Sequence, residues 1–198
     1  MHDGQMDKEP DIWVRSEPWN TASPAFRREV AVMLCRIWPD CGDGGDTHDF
    51  EFQAQSFYCR INEALAGYAA VLKKDIVHHG CSFRIAGLSC VAVVPEFRRM
   101  GAGRKLVSAA GRWLAGQPDV DLGIFTCRPE LAPFYNRADG WEAAPDVVLV
   151  GNSEPGALSS SALNVTVLMR LFSAKAWAHE AQLRHGTVNL DFPSGRFL

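Results

Sequence analysis

Apolar and polar positions alternate over Asp11–Ser16, where Ile12 and Val14 are set against Trp13 and Arg15, as in a half-buried strand. Phe26, Val30, Met33, Leu34 and Ile37 then recur at helical spacing, with Ser23 placed to cap that helix, Pro24 at its first position and Pro39 stopping it. Ser56–Arg60 and Leu65–Lys74 read as strands, and Ile61–Ala64 between them reads as a hairpin. Gly87–Val94 (GLSCVAVV) is a continuous apolar run, the pattern of a central strand buried on both faces. Gly101–Leu114 is helical, Leu122–Cys127 a strand, and Leu131–Arg137 a short helix that ends near Gly140. Val147–Val150 and Val165–Leu171 are strands, and Ala174–Leu183 is a short helix. The order β-α-loop-β-β-β-α-β-α-β-β predicts one α/β domain with a mixed sheet covered by helices.

With 198 residues, 47% of them hydrophobic and 22% charged, the chain has ordinary globular usage. We read 1–198 as a single domain, with a flexible tail at 1–10, an acidic loop at 40–49 and a C-terminal segment at 174–198. The net charge is −3, which disfavours a partner held by phosphate charge, so no nucleic acid is expected. A membrane span needs about 20 consecutive apolar residues, and no such run occurs. The polar start lacks the apolar core of a signal peptide, which makes a cytoplasmic location the expectation. Six cysteines occur without C-x-x-C spacing and the histidines are scattered among them, so reduced thiols and no metal site are expected.

The stretch that carries chemistry is Val91–Val107, VAVVPEFRRMGAGRKLV. A strand ends at Val94, Pro95 breaks the ladder, and Arg98-Arg99-Met100-Gly101-Ala102-Gly103 leads into a helix. Gly101 and Gly103 permit close backbone approach, the first helical turn presents free N–H groups at its positive end, and Arg98, Arg99, Arg104 and Lys105 add charge. This is how a chain would grip a pyrophosphate, although an ordinary strand-turn-helix with glycines for tight packing would share the pattern. Neither the P-loop nor the dinucleotide fingerprint is present.

VVPEFRRMGAG resembles the acetyl-coenzyme A signature of the GNAT superfamily of N-acetyltransferases, [RQ]-x-x-G-x-[GA] between strand and helix. The resemblance implies a GNAT fold: a mixed, mostly antiparallel sheet splayed at the coenzyme-binding strand, with helices on both faces. It implies acetyl-CoA as co-substrate. Its pyrophosphate would lie on Arg98, Arg99, Met100, Gly101, Ala102, Gly103 and Arg104, and its pantetheine arm along Val91 and Val93. The N–H of Val93 would polarise the thioester carbonyl. Leu131-Ala132-Pro133-Phe134-Tyr135-Asn136-Arg137 followed by Gly140-Trp141 is similar to the family's A-x-x-[FL]-Y-x-x-x-G-[FW] segment. There Tyr135 would protonate the departing thiolate and Asn136 would contact the coenzyme.

Within the superfamily, three segments resemble the aminoglycoside 2′-N-acetyltransferases. They are EFRRMGAGRKLV, the loop Gly45-Asp46-Thr47-His48-Asp49-Phe50, and the ending Leu190-Asp191-Phe192-Pro193-Ser194-Gly195-Arg196-Phe197-Leu198. Asp40, Asp43, Asp46, Asp49 and Glu51 fall within twelve positions and would attract a polycation. The resemblance thus implies a small cationic aminoglycoside as partner, held by Asp46, Asp49, Glu51, Ser89, Asp191 and the carboxylate of Leu198. It also implies a homodimer and a role in antibiotic resistance. The departures are that Ser89 stands where the family has a glutamate, Arg196 where it has an acid, and Leu198 where it has a tryptophan. They point to a divergent acceptor such as kasugamycin. They leave the general base open among His78, His79, Glu51, Asp49 and a water chain to the terminal carboxylate. Cys90 and Cys127 would allow a covalent acyl-cysteine route, but no base is visible beside either. Other readings are a sugar-amine acyltransferase with a long acyl donor, a protein N-acetyltransferase, and a non-catalytic acetyl-CoA sensor.

Overall fold

The computed structural model of the chain describes residues 12–39, 47–195 and 197. The tail read at 1–10 and most of the acidic loop, including Asp40, Asp43 and Asp46, lie outside the described residues, as do Arg196 and Leu198.

Helix α1 (Pro24–Ile37) starts where the capping signal places it, with the Phe26 N–H donating to Ser23 Oγ at 3.1 Å. Strands β1 (Val14–Pro18), β2 (Gln55–Ile61), β3 (Ala64–His78), β4 (Cys81–Val93), β5 (Leu122–Cys127) and β6 (Glu142–Ala143) follow in chain order. After β7 (Val147–Val150) comes β8 (Thr166–Leu171). Seven of these form one sheet in the order β1-β2-β3-β4-β5-β8-β6, antiparallel throughout except for β4 beside β5. Helices α2 (Ala102–Ala115) and α3 (Ala132–Asp139) cover one face. The opposite face carries α1 over Tyr68, Ala70, Ala92 and Val94. It also carries a ribbon of β7 paired in parallel with β9 (Gly186–Asn189), packed over Phe83, Ile85, Ile124 and Met169.

The β3–β4 hairpin is longer than its apolar runs, because its far half alternates polar and apolar residues and turns on His79 and Gly80 (φ +49° and +77°). The β2–β3 turn, Asn62-Glu63, has the same pair of positive φ values (+49° and +63°). Both match the two-residue loop that suits the twist of a hairpin. The single helix expected at 174–183 is two, α4 (Ala174–Ala178) and α5 (Glu180–Leu183), divided at His179. Strands β6 and β9 carry too few apolar residues to be read from periodicity.

What positions the site is the pairing of β4. Its first half pairs with β3 on one side and, through Ile85↔Leu122 and Ala86↔Gly123, with β5 on the other. From Gly87 onward β4 stays on β3 while β5 stays on β8, and the two parallel strands part. The run Gly87–Val94 is therefore not buried on both faces throughout: Ser89, Cys90, Val91 and Val93 are half-buried, because a gap replaces the neighbour.

The closed end is held tightly. Asp121 accepts from the Arg84 N–H at 2.9 Å and from Ser173 Oγ at 2.7 Å, and pairs with Lys175 Nζ at 2.6 Å. The fully buried Trp141 ring lies so close over Gly123 that an added Cβ would meet it at 2.5 Å. Full burial of Leu106, Leu114, Phe125 and Trp141 contributes roughly 1.5–3 kcal/mol for each side chain.

Candidate active site

The parted strands form a cleft of about 750 Å³, lined along β4 by Leu88 and Cys90 to Val93, and along β5 by Phe125 to Arg128. Arg98, Leu131 and Tyr135 complete one side, and Ile37 and the 40%-exposed Trp38, at the end of α1, complete the other. This volume is in the range of small-molecule and cofactor sites.

Peptide groups of an antiparallel pair alternate sides. The Val94 N–H donates to the Ala66 carbonyl at 3.0 Å, so the Val93 N–H and C=O face away from β3, into the gap. Arg98 Nε donates to that Val93 carbonyl at 3.1 Å, which ties the loop to the strand end. A β-bulge precedes it: Ala70↔Ser89 and Tyr68↔Ala92 set three steps of β4 against two of β3. Cys90 absorbs the extra residue at φ +52°, a left-handed conformation uncommon for a residue with a side chain.

Helix α2 begins at Gly101 (φ +81°) with no side-chain cap, so the first N–H groups of the helix are left for a ligand. Arg99 (φ +65°) and Gly101 are left-handed two residues apart, and such alternation builds anion-binding concavities from backbone amides. A Cβ on Gly101 would meet nothing within 4 Å, whereas one on Gly103 would touch Phe134 at 3.4 Å. The structure thus brings Val91, Val93 and Arg98 to the cleft and puts Met100 to Gly103 at its end. Arg104 instead lines a surface groove with Lys105, Arg112 and Arg137. Asn136 is exposed, and its Nδ2 donates to the Trp141 carbonyl at 3.1 Å, closing the turn after α3.

Tyr135 stands on α3 in the cleft wall, edge-on to Phe125 at 5.1 Å. Burial, aided by the nearby Cys127, raises its phenol well above the usual range, so it is protonated at neutral pH, the state from which a proton donor starts. Burial pushes the Cys127 thiol up to about 11, with Glu130 adding to the effect, and burial also raises Cys90. Both are thiols at neutral pH, so the acyl-cysteine route lacks a nucleophilic thiolate.

The acceptor-side expectations are corrected in part. His78 and His79 lie at the far tip of the β3–β4 hairpin, where His78 Nε2 contacts the Gln182 carbonyl at 3.1 Å. That is six residues beyond Leu72, which pairs with Gly87 where the gap opens, or about 20 Å of strand, so neither is a base for the cleft. Glu51 lines a surface groove with Lys73, Lys74, Asp75 and Arg84, and Lys74 Nζ donates to the Asp191 carbonyl. Glu51 and Asp191 thus sit where β4 is paired on both sides, not at the gap. Asp49 precedes a turn of 3-10 helix at Phe50–Phe52. Ser89 lies at the bulge, its Oγ donating to Cys90 Sγ at 3.5 Å.

Pattern reading missed a buried polar cluster beside the bulge. His48 Nε2 and Ser56 Oγ each lie 2.9 Å from the Tyr68 hydroxyl. The three residues come from separate elements, so no local pattern announces them. Among the described residues no group of three or more His, Cys, Asp and Glu is placed to hold a metal, and no helix is long and apolar enough to cross a membrane.

A sheet opened between two parallel strands, a backbone N–H facing the gap and an uncapped, glycine-led helix at its end define an acyl-CoA-dependent N-acyltransferase. The model of the acetyltransferase (GNAT) family matches residues 17–141, and the chain belongs to that family. Among solved structures it resembles the GNAT family N-acetyltransferase YhbS from Escherichia coli in complex with CoA (17% identity, 90% of this chain and 88% of that chain, TM-score 0.59). It also resembles an acyl-CoA N-acyltransferase from Pseudomonas aeruginosa (13% identity, 80% and 99%, TM-score 0.56). A third is Escherichia coli ElaA (16% identity, 80% and 99%, TM-score 0.54). These likenesses carry the fold, and the family carries the activity: the chain is an acyltransferase that uses acyl-CoA.

Proposed function

We propose that the chain transfers an acetyl group from acetyl-CoA to an amine of a small cationic acceptor. The observation that carries this reading is the parting of β4 from β5 with the Val93 N–H turned into the gap. The α2 amides, Arg98 and Arg99 hold the pyrophosphate, and Val91 and Val93 run beside the pantetheine arm. The coenzyme supplies an activated acyl group. Val93 donates to the thioester oxygen as it gains negative charge. The acceptor amine attacks in its neutral form and makes the N–C bond; as the C–S bond breaks, Tyr135 gives its proton to the departing sulfur, and the proton shed by the new amide nitrogen passes to solvent, from which the phenolate is reprotonated. The Val93 N–H at the end of β4 and Tyr135 on α3 both line the cleft.

For the acceptor, the sequence of the 40–51 loop and of the C-terminal segment favours an aminoglycoside, with kasugamycin as a candidate and resistance as the role. Of the residues proposed for it, Ser89 lies at the bulge, and Asp46, Asp49 and Leu198 rest on the resemblance alone. The same resemblance supports a homodimer. Thiol release from acetyl-CoA is the test, run against kasugamycin, gentamicin, neomycin, tobramycin, a lysine peptide and buffer. Release with one aminoglycoside, and an added acetyl mass on it, is the expected result. Release with the peptide alone overturns the acceptor class and leaves the enzyme class standing.

A further inference from the structure

Among the described residues, the α1-side core is lined mostly by apolar side chains and holds one hydrogen-bonded polar cluster. His48 is 3% exposed and Tyr68 and Ser56 are fully buried, among Trp19, Phe26, Val30, Met33 and Leu34. Burying such groups is costly unless each is hydrogen-bonded. Here one atom, the Tyr68 hydroxyl, is the shared partner of the other two, at 2.9 Å from each. The imidazole is clamped between rings, edge-on to Trp19 at 5.0 Å and stacked on Tyr68 at 5.8 Å. Burial holds His48 down at about 4, so it is neutral at physiological pH and cannot itself serve as a base.

The place of this cluster gives it a further meaning. Ser56 on β2 pairs with Ala70 on β3, and Ala70 pairs with Ser89 on β4. The Tyr68 phenol, reaching Ser56, therefore lies across the small Ala70 side chain in the row that ends at the bulge. Tyr68 itself pairs with Ala92, one residue before Val93, and Cys90 packs on the apolar cluster that holds Tyr68. A strand held in a left-handed bulge on one side and facing a gap on the other needs support from beneath. The Tyr68 side chain is close enough to Cys90 for the thiol to help raise its phenol, and both pack in the α1-side cluster.

We propose that Tyr68, fixed by His48 and Ser56, is a positioning residue for acetyl transfer: the buried network braces the β4 bulge and so aims the Val93 N–H at the thioester carbonyl. This rests on the Val93 reading, and the two fail differently. The test is isotope-edited infrared spectroscopy of [1-13C]acetyl-CoA bound to the full chain, which needs no acceptor. In the natural protein the carbonyl band moves to lower wavenumber than in free acetyl-CoA, because Val93 donates to it. Tyr68→Phe, which removes the hydroxyl and keeps the ring, loses about half of that displacement or more, while acetyl-CoA affinity stays within about threefold. His48→Phe, which keeps a ring against Trp19, gives the same loss and carries the readout if Tyr68→Phe does not fold. The double variant loses no more than either single one, as expected for groups that act through one atom. A band that stays at the natural position in either folded variant overturns the positioning role and leaves Val93 in place. A natural-protein band at the free position overturns the Val93 reading and the positioning role with it.

Discussion

The two halves of β4 do opposite jobs with the same backbone. Over Cys81–Ala86 the strand pairs with β3, gains β5 as a second neighbour at Ile85 and Ala86, and is locked by Asp121 at Arg84, with Trp141 pressed on Gly123 of the neighbouring strand. Over Gly87–Val93 it keeps one neighbour and turns its free peptide edge to a cleft. The closed half spends its peptide edge on β5 at Ile85 and Ala86, and the open half keeps that edge free. The difference teaches that the site is built by withholding pairing from one half of the strand while overdetermining the other. Contacts to the closed half should govern stability, and contacts to the open half should govern binding and turnover.

The largest break is expected at the closed half. Gly123→Val pushes a branched side chain into the Trp141 ring and costs about 3 kcal/mol in urea unfolding, while the folded fraction still binds acetyl-CoA. A variant of unchanged stability would show that this contact is not what holds the strands together. Nearly as large is the effect of acid on the bracing cluster. His48 is held at about 4 in the fold against about 6.5 unfolded, so its full contribution is present above pH 6.5. Below that the unfolded chain takes up the proton first. Stability then falls towards pH 4 by about 3 kcal/mol in all, and His48→Phe removes this slope. An unchanged slope in His48→Phe would place the acid sensitivity elsewhere.

At the open half the effects move to binding. Gly101→Asp puts a side chain on a left-handed residue and a negative charge at the helix start, and weakens acetyl-CoA about 100-fold by calorimetry. Unchanged affinity would remove the pyrophosphate from α2. The smallest effect is on chemistry alone: Tyr135→Phe lowers kcat about 10- to 100-fold with acetyl-CoA affinity intact. A full-rate variant would leave the thiolate to be protonated by solvent.

The same contrast explains how much was legible in the sequence. The coenzyme loop and the Tyr135 helix could be read because each carries its motif residues side by side in one contiguous segment. The mixed splayed sheet followed from that resemblance, and the capped start of α1 from Ser23-Pro24. The acceptor side could not be read in this way. His48, Ser56, Tyr68 and Cys90 meet only through cross-strand rows, and a left-handed cysteine gives no signal of the kind that glycine gives. The acidic residues Glu51 and Asp191 matched by type and order, yet the chain carries them to Lys74 and away from the gap. His78 is a base candidate by residue type, but the length of the β3–β4 hairpin carries it to the opposite end.

The central claim is that the gap between β4 and β5 receives the coenzyme. Its most direct test is an amide NMR titration of the 15N-labelled chain with acetyl-CoA. The account predicts saturable shifts at Val91, Val93 and residues 101–104, with Ile85 and Ala86 unmoved. Shifts confined to other surfaces, with the Val93 amide unchanged at saturation, would contradict it.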